Sequence, residues 1–211
     1  MIRGPAREFA KILERTGIEY LFVGGVAMAE SVPSVTEDFD VMILPSAFDA
    51  AVAAVDRDPS VVSMGRGPAE MPGGHVLVRG ALIRFDLLDP NAYSAQRSGI
   101  DFYRFVKRYH SRATNLGRVA LPEVVWYMRL VIDDWELYVP KILRDVRAGA
   151  PWALAEKVRR IARRYGVEAV LRSRLARVEE DLRINHLLAR PRPLVEAGRT
   201  ARGTRRRGSA P

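Results

Sequence analysis

The stretch from Tyr20 to Leu44 constrains the fold of this chain more than any other part of it. Its periodicity predicts four successive elements: a buried strand at Tyr20–Val23, a tight turn at Gly24-Gly25, a helix from Val26 to about Val32, and a second strand at Glu37–Leu44. Because side chains alternate along a strand, Asp38 and Asp40 project from one face and apolar residues from the other. The sequence therefore predicts two neighbouring carboxylates on a strand whose opposite face is buried.

This pair of carboxylates has the character of a metal site. Two like charges so close repel each other unless a cation lies between them, which gives Asp38 and Asp40 a physical use as ligands. Oxygen-only ligands favour Mg²⁺ or Mn²⁺ rather than zinc. Gly24-Gly25 opens a helix, where free N–H groups favour an anion such as a phosphate. A phosphate cradle beside metal-binding carboxylates is typical of phosphoryl or nucleotidyl transfer.

The order of these motifs resembles a known family. Gly24-Gly25, a helix and Thr36-x-Asp38-x-Asp40 are similar to the minimal nucleotidyltransferases of the DNA polymerase beta superfamily, most closely the AbiEii-like branch. That branch is found as toxins in bacterial and archaeal toxin–antitoxin pairs. Members carry a third carboxylate on a later strand, and Asp86 in Ile83–Leu88 matches it, since it projects opposite to the apolar residues of that strand.

The resemblance implies an activity and a set of roles. It implies transfer of an NMP from ATP or another NTP to a hydroxyl of RNA, such as a tRNA 3′ end, or of a protein. Mg²⁺ or Mn²⁺ would be the cofactor, and Asp38, Asp40 and Asp86 would be the catalytic residues and metal ligands. Gly24, Gly25 and Thr36 would bind the nucleotide. For a toxin, it also implies an antitoxin protein as a partner.

Further nucleotide-binding residues are implied in the C-terminal part. In the AbiEii-like pattern a Pro-Glu helix start is followed by a lysine on that helix, and then by a basic residue and an aspartate in the next segment. The matching positions are Arg129, Lys141 and Asp145. Arg129 or Lys141 would neutralise phosphate, with Asp145 holding the cation in place. The alternative is an ordinary ion pair between Lys141 and Asp145, which are four residues apart on a helix.

Two departures from the family pattern favour a different class of function. Val26 stands where many members have a serine, and Ser34 stands where they have a basic residue. These changes favour a catalytically weakened relative that binds RNA or a partner protein through its basic helices. A DxD sugar-nucleotide transferase is a third reading, which the early motif, the Gly-Gly turn and the short chain disfavour.

Composition bounds the remaining possibilities. The chain has 211 residues, enough for one or two domains with a core. Cysteine is absent, which excludes disulfides and thiolate metal sites and fits a cytoplasmic location. No apolar run reaches membrane-spanning length and the N-terminus starts an amphipathic helix rather than a signal peptide, so we expect no membrane partner.

The charge balance is basic, with 34 Lys and Arg against 25 Asp and Glu and a net charge of +9. This surplus favours polyanionic partners such as RNA or nucleotides, although solubility and ion pairs are an equally good explanation. The predicted helix Trp152–Tyr165 is strongly basic, and a solvated charged face is its commoner explanation.

Periodicity and breakers predict the other elements. Helices are expected at Pro5–Thr16, from a Ser46 and Asp49 capping signature to about Val55, and at Asn91–Ser98, Asp101–Arg112, Pro122–Asp133, Pro140–Gly149, Trp152–Tyr165 and from Val167 to about Ala189. Strands are expected at Val61–Met64, His75–Val78, Leu82–Leu88 and Arg118–Leu121. An aromatic stripe on Asp101–Arg112, comprising Phe102, Phe105 and Tyr109, is more typical of core than of a base-stacking surface.

These elements predict an α+β fold. We expect a nucleotidyltransferase-type mixed sheet with flanking helices over residues 1–121, followed by an all-helical C-terminal domain at 122–190. Residues 191–211 contain repeated glycine and proline, six arginines and few apolar side chains, so we expect a disordered basic tail there.

Overall fold

The computed structural model describes residues 3–33, 38–64, 74–78 and 81–188. The helices in this part of the chain are α1 Arg3–Arg15, α2 Gly24–Ala29, α3 Phe48–Arg57, α4 Gly99–Tyr109, α5 Pro122–Val131, α6 Val139–Arg147, α7 Leu154–Arg164 and α8 Glu168–Ile184. The strands are β1 Tyr20–Val23, β2 Asp38–Ile43, β3 Val61–Met64, β4 Gly74–Val78, β5 Ala81–Leu88, β6 Ser111–Thr114 and β7 Gly117–Ala120. Short 3₁₀ helices lie at Pro45–Ala47, Pro90–Tyr93 and Trp135–Tyr138.

The described strands form one mixed sheet in the order β3-β4-β5-β2-β1-β7-β6. β2 is parallel to β5 and β1 is parallel to β7, whereas the other neighbours are antiparallel. Helices flank this sheet, and from Pro122 to residue 188 the described chain contains only helices and their connections. The predicted α+β class, a mixed sheet with flanking helices followed by an all-helical part, is confirmed.

Three stacked aromatic rings fix one face of the central strands. Phe85 on β5 lies between Phe9 on α1 and Phe39 on β2, with ring centroids 4.1 Å and 4.8 Å away. All three side chains are buried. Because side chains alternate, the packing of Phe39 and Phe85 on this face directs the next residue of each strand, Asp40 and Asp86, to the opposite face.

The C-terminal helices continue the same core. α5 buries every side chain from Glu123 to Leu130 and packs against α2, α7 and α8. One hydrophobic cluster thus runs from the sheet through α5 into the last two helices. The division into domains at residue 121 stays a prediction, and the tail at 191–211 lies outside the described residues. No helix in the described part is both long and apolar enough to cross a bilayer.

The predicted helix Asn91–Ser98 is wrong beyond its first turn. A 3₁₀ helix at Pro90–Tyr93 is followed by turns, with Ala95 at a positive φ of 49°. The Asp89 carboxylate accepts the backbone N–H of Asn91, and the Asn91 side chain accepts the N–H of Gly99 at 2.8 Å. These side-chain to backbone bonds replace helical ones and close the segment into a compact loop.

Two further predictions in this half of the chain need correction. The helix predicted at Asp101–Arg112 ends at Tyr109, and its last residues belong to β6, which pairs with β7 in a hairpin. Non-local pairing of this kind overrides helix propensity. Ser46 lies within a 3₁₀ helix, and the residue that caps α3 is Ala47, without a side-chain hydrogen bond.

Replacing Phe85 by alanine should lower the free energy of unfolding by about 3–5 kcal/mol, because the ring leaves a cavity between two aromatic neighbours. The matched control is Val62→Ala on β3, where the side chain is 60% exposed and the expected change is within about 0.5 kcal/mol. Urea denaturation followed by circular dichroism measures both. Equal losses in the two variants would contradict the role given to the aromatic stack.

Candidate active site

The parallel pairing of β2 and β5 brings two acidic residues side by side. Asp40 stands directly opposite Asp86, and both are half-buried. Strands in a sheet lie about 4.8 Å apart, and both side chains project from the face opposite the aromatic stack. In the same pairing, Asp38 at the start of β2 stands opposite Arg84. Thr36 lies outside the described residues.

Gly24 forms one wall of this site. It has a positive φ of 56°, begins α2 and follows Val23, which pairs with Asp40. A Cβ atom at this position would lie 1.6 Å from Oδ2 of Asp40 and 2.5 Å from its Cγ. The Asp40 carboxylate therefore rests against the Gly24 backbone, where no larger residue fits. The adjacent Gly25 is the second residue of α2.

Tyr93 is a neighbour of the carboxylates that the sequence analysis missed. It lies in the 3₁₀ helix after β5, and its backbone carbonyl accepts the hydroxyl of Tyr127 at 3.0 Å. Burial raises the pKa of the Tyr93 hydroxyl, and interaction with Asp40, Tyr138 and Asp86 raises it further. Like any tyrosine hydroxyl it is protonated near neutral pH, so it is available as a hydrogen-bond donor near Asp40 and Asp86.

Lys141 and Tyr93 have Tyr138 as a common neighbour. Its ammonium group is 5.0 Å from the centroid of the Tyr138 ring, and Tyr138 is one of the residues that act on the Tyr93 hydroxyl. Lys141 itself is exposed on α6. Such a long, exposed side chain keeps its charge in solvent, where it is available to an anion.

Arg129 occupies a different environment. It is 7% exposed, and its guanidinium donates to Oδ2 of the 1% exposed Asp145 at 2.5 Å. Trp126 donates its indole N–H to the same oxygen at 3.1 Å, and Oδ1 of Asp145 is buried without a hydrogen-bond partner among the described residues. The alternative ion pair between Lys141 and Asp145 is therefore wrong. Asp145 instead binds Arg129 and ties α6 to α5.

The basic residues of α7 mostly have acidic partners. Arg159 pairs with Glu156 on its own helix, Arg163 pairs with Glu168 at 3.0 Å, and Arg164 pairs with Asp101 at 3.2 Å. This arrangement matches the solvated, ion-paired face that is the commoner explanation for such a helix.

The two carboxylates suit a divalent cation that is coordinated partly by the protein and partly by a substrate. In the described part of the chain, no three His, Cys, Asp or Glu side chains form a group that could hold a metal ion. Mg²⁺, however, is commonly held by one or two carboxylates, with water and substrate phosphates filling the remaining positions. Asp40 and Asp86 on neighbouring strands provide such a pair, so the residues present fit the ion.

Replacing Gly24 by alanine should destabilise the protein more than the same change at Gly17. Both glycines have positive φ, which costs alanine about 1–2 kcal/mol. A Cβ at Gly17 meets nothing within 4 Å, whereas at Gly24 it collides with Asp40. Urea denaturation of the two variants isolates the collision, and equal destabilisation would contradict the contact between Gly24 and Asp40.

Arg129→Met and Lys141→Met should differ in the free energy of unfolding, because Arg129 is a buried cation and Lys141 is an exposed one. Loss of Arg129 leaves the Asp145 carboxylate buried and unpaired, which should cost about 3–5 kcal/mol. Loss of exposed Lys141 should change the free energy of unfolding by less than about 0.5 kcal/mol. Thermal and urea unfolding measure both values. Similar stability of the two variants would contradict a structural role for Arg129.

Comparison with known proteins adds little to what the structure indicates about function. No protein-family model matches this chain, and no curated protein matches it. Among solved structures, the chain is similar to an antigenic nucleotidyltransferase-like protein from Paracoccidioides brasiliensis, at 16% sequence identity and a TM-score of 0.45. The likeness covers 81% of this chain and 91% of that chain. At this level it decides neither fold nor function, which rest on the residues described above.

Proposed function

We propose that this chain is a metal-dependent nucleotidyltransferase that moves an NMP from an NTP to a hydroxyl acceptor. The observation that carries the proposal is the opposition of Asp40 and Asp86 on adjacent parallel strands, with the Gly24 backbone against Asp40. The resemblance of Gly24-Gly25 and Thr36-x-Asp38-x-Asp40 to the minimal nucleotidyltransferases supports the same reaction.

The acidic residues would hold the cofactor and handle the acceptor proton. Asp38, Asp40 and Asp86 would be the ligands of Mg²⁺ or Mn²⁺. A bound divalent ion would neutralise charge on the triphosphate and on the departing pyrophosphate. Asp86 orients the acceptor hydroxyl and takes its proton as the oxygen attacks the α-phosphorus, while the bond from that phosphorus to the bridging oxygen breaks. The proton then passes to solvent.

The remaining residues would bind and orient the nucleotide. Gly25 would let the triphosphate approach the backbone, since it carries no side chain, and Thr36 would contribute a hydroxyl. Gly24 makes room for the Asp40 carboxylate, so it would contact the nucleotide only through its backbone. Lys141 supplies an exposed positive charge for the phosphates. Arg129, enclosed by its pairing with Asp145, would act by holding α5 and α6 in place rather than by contacting phosphate.

The acceptor would be RNA, such as a tRNA 3′ end, or a protein hydroxyl. Membership of the AbiEii-like branch, a role as a toxin with an antitoxin partner, and a cytoplasmic location belong to the same proposal. They rest on the sequence resemblance and on the absence of cysteine.

A catalytically weakened relative that binds RNA or a protein is the second candidate. The enclosure of Arg129 favours it, because one of the two cations expected at the phosphates is already paired. Val26 and Ser34 add to this, since they replace residues that many members use around the motif.

Incubation with labelled NTPs, Mg²⁺ and total RNA or cell lysate should transfer label to an acceptor. Asp40→Asn and Asp86→Asn should each lower the transfer by more than about 100-fold, because each replaces an anionic carboxylate at the metal site by a neutral amide. The matched control is Asp49→Asn, which changes an exposed aspartate on α3 and should leave transfer unchanged. A metal chelator should abolish transfer in every sample.

Label transfer that persists in the Asp40→Asn or Asp86→Asn variant would contradict the proposed enzyme. Calorimetry with Mg²⁺ and each NTP separates the two candidates. The enzyme should bind nucleotide only with metal present, whereas a pure binding module should show no metal-dependent nucleotide affinity.

A further inference from the structure

The end of the sheet that carries the acidic residues extends to β6. One row of paired residues crosses five strands and consists of Leu87, Val41, Phe22, Val119 and Arg112. The next row outward contains Asp86, Asp40, Val23, Ala120 and Ser111 by the same register. The first residue of β6 is thus three strand spacings from Asp40, or about 15 Å.

The chain that leads into and out of β6 is strongly basic. Residues 99–118 contain five basic residues and one acidic residue, Asp101. Arg104 and Arg108 are exposed and one turn apart on α4, so they share a face. Arg112 donates to the carbonyl of Glu30 and to the hydroxyl of Ser31, which carry no charge. Lys107 is paired with Glu19, so the positive charge beside this end of the sheet comes mainly from Arg104, Arg108 and Arg112.

An exposed aromatic ring lies within this basic segment. Tyr109, the last residue of α4, is 59% exposed, although its stripe partners Phe102 and Val106 are fully buried. The guanidinium of Arg108 is 5.1 Å from the centroid of the Tyr109 ring, and the ring of half-buried Phe105 is 5.7 Å away. An open ring beside a guanidinium is the combination that stacks an unpaired base and contacts its phosphate.

The residue after Tyr109 is held rigidly. His110 Nδ1 lies 3.1 Å from Oε1 of the buried Glu123, and its ring is 4.8 Å from that of Phe105. Its carbonyl accepts the N–H of Leu121 at 2.8 Å. Burial would raise the pKa of Glu123, but hydrogen bonds from His110 and its own backbone, with the nearby Lys157, lower the pKa below its usual value. An anionic Glu123 thus anchors the imidazole beside Tyr109.

We infer that Arg104, Arg108 and Tyr109, here called the α4 face, bind a single strand of nucleic acid. An unpaired base stacks on Tyr109, and its flanking phosphates lie on the arginines. A duplex does not fit this arrangement, because its bases are already stacked on each other. An acidic peptide would use the arginines but would gain little from the open ring. Ser111, two residues after Tyr109, lies about 15 Å from Asp40 across the sheet.

Fluorescence anisotropy of the full chain with a labelled single-stranded RNA of about 15 nucleotides tests this inference. Tyr109→Ala should weaken binding about ten- to one hundred-fold, because stacking is lost, and Tyr109→Phe should restore it. Arg108→Gln should weaken binding and reduce the slope of log K against log salt by about 0.7. The matched control is Arg57→Gln, an exposed arginine just before β3 at the opposite edge of the sheet, which should bind as the unaltered chain does.

Three results would overturn the inference. The first is a Tyr109→Ala variant that binds the single strand as tightly as the unaltered chain. The second is an RNA hairpin stem whose binding shows the same dependence on Tyr109. The third is an acidic peptide that displaces the RNA and itself loses affinity in Tyr109→Ala, which would make the partner a protein. The assay contains neither metal nor NTP, so its failure leaves the proposed transfer reaction untouched, and failure of that reaction leaves the α4 face untouched.

Discussion

The parallel pairing of β2 with β5 is the constraint on which the site depends. It holds Asp40 opposite Asp86, an arrangement of like charges that is unfavourable by itself. The same two strands bury Phe39 and Phe85 on their other face, stacked with Phe9, and this apolar packing opposes the repulsion. Because a slip of one residue would exchange the two faces, the aromatic stack fixes the register and therefore the position of the acidic residues.

Contacts with neighbouring residues restrict the position of this acidic pair. The Gly24 backbone closes one side of Asp40, and burial raises the pKa of the nearby Tyr93 hydroxyl. A buried, neutral hydroxyl can donate a hydrogen bond to negative charge that develops nearby. The position of Tyr93 depends in turn on the Asp89 and Asn91 side chains, which close the loop after β5.

The parts of this arrangement that follow from local periodicity could be predicted from the sequence, and the parts set by non-local contacts could not. Strand alternation was enough to place Asp40 and Asp86 on one face, and the apolar stripe of α1 to place Phe9 in the core. Tyr93 was missed because hydrogen bonds between side chains and backbone replace the helix that its segment was predicted to form. β6 was missed because it is a strand only through its pairing with β7. Helix spacing suggested Lys141 as the partner of Asp145, whereas in the fold Arg129 on α5 takes that place.

Some basic residues are paired or buried and others are exposed, and this difference determines which of them can bind a ligand. Arg129 is paired and shut away from solvent, and the arginines of α7 are largely matched with acidic neighbours. Charges neutralised in this way contribute to packing but exert little force on an incoming polyanion. Lys141 beside Tyr138 and Arg108 beside Tyr109 are exposed cations close to aromatic rings, and Arg104 is exposed one turn before Arg108. Exposed cations such as these are the ones available to an incoming anion, so the net charge of the whole chain is a poor guide to where an anion would bind.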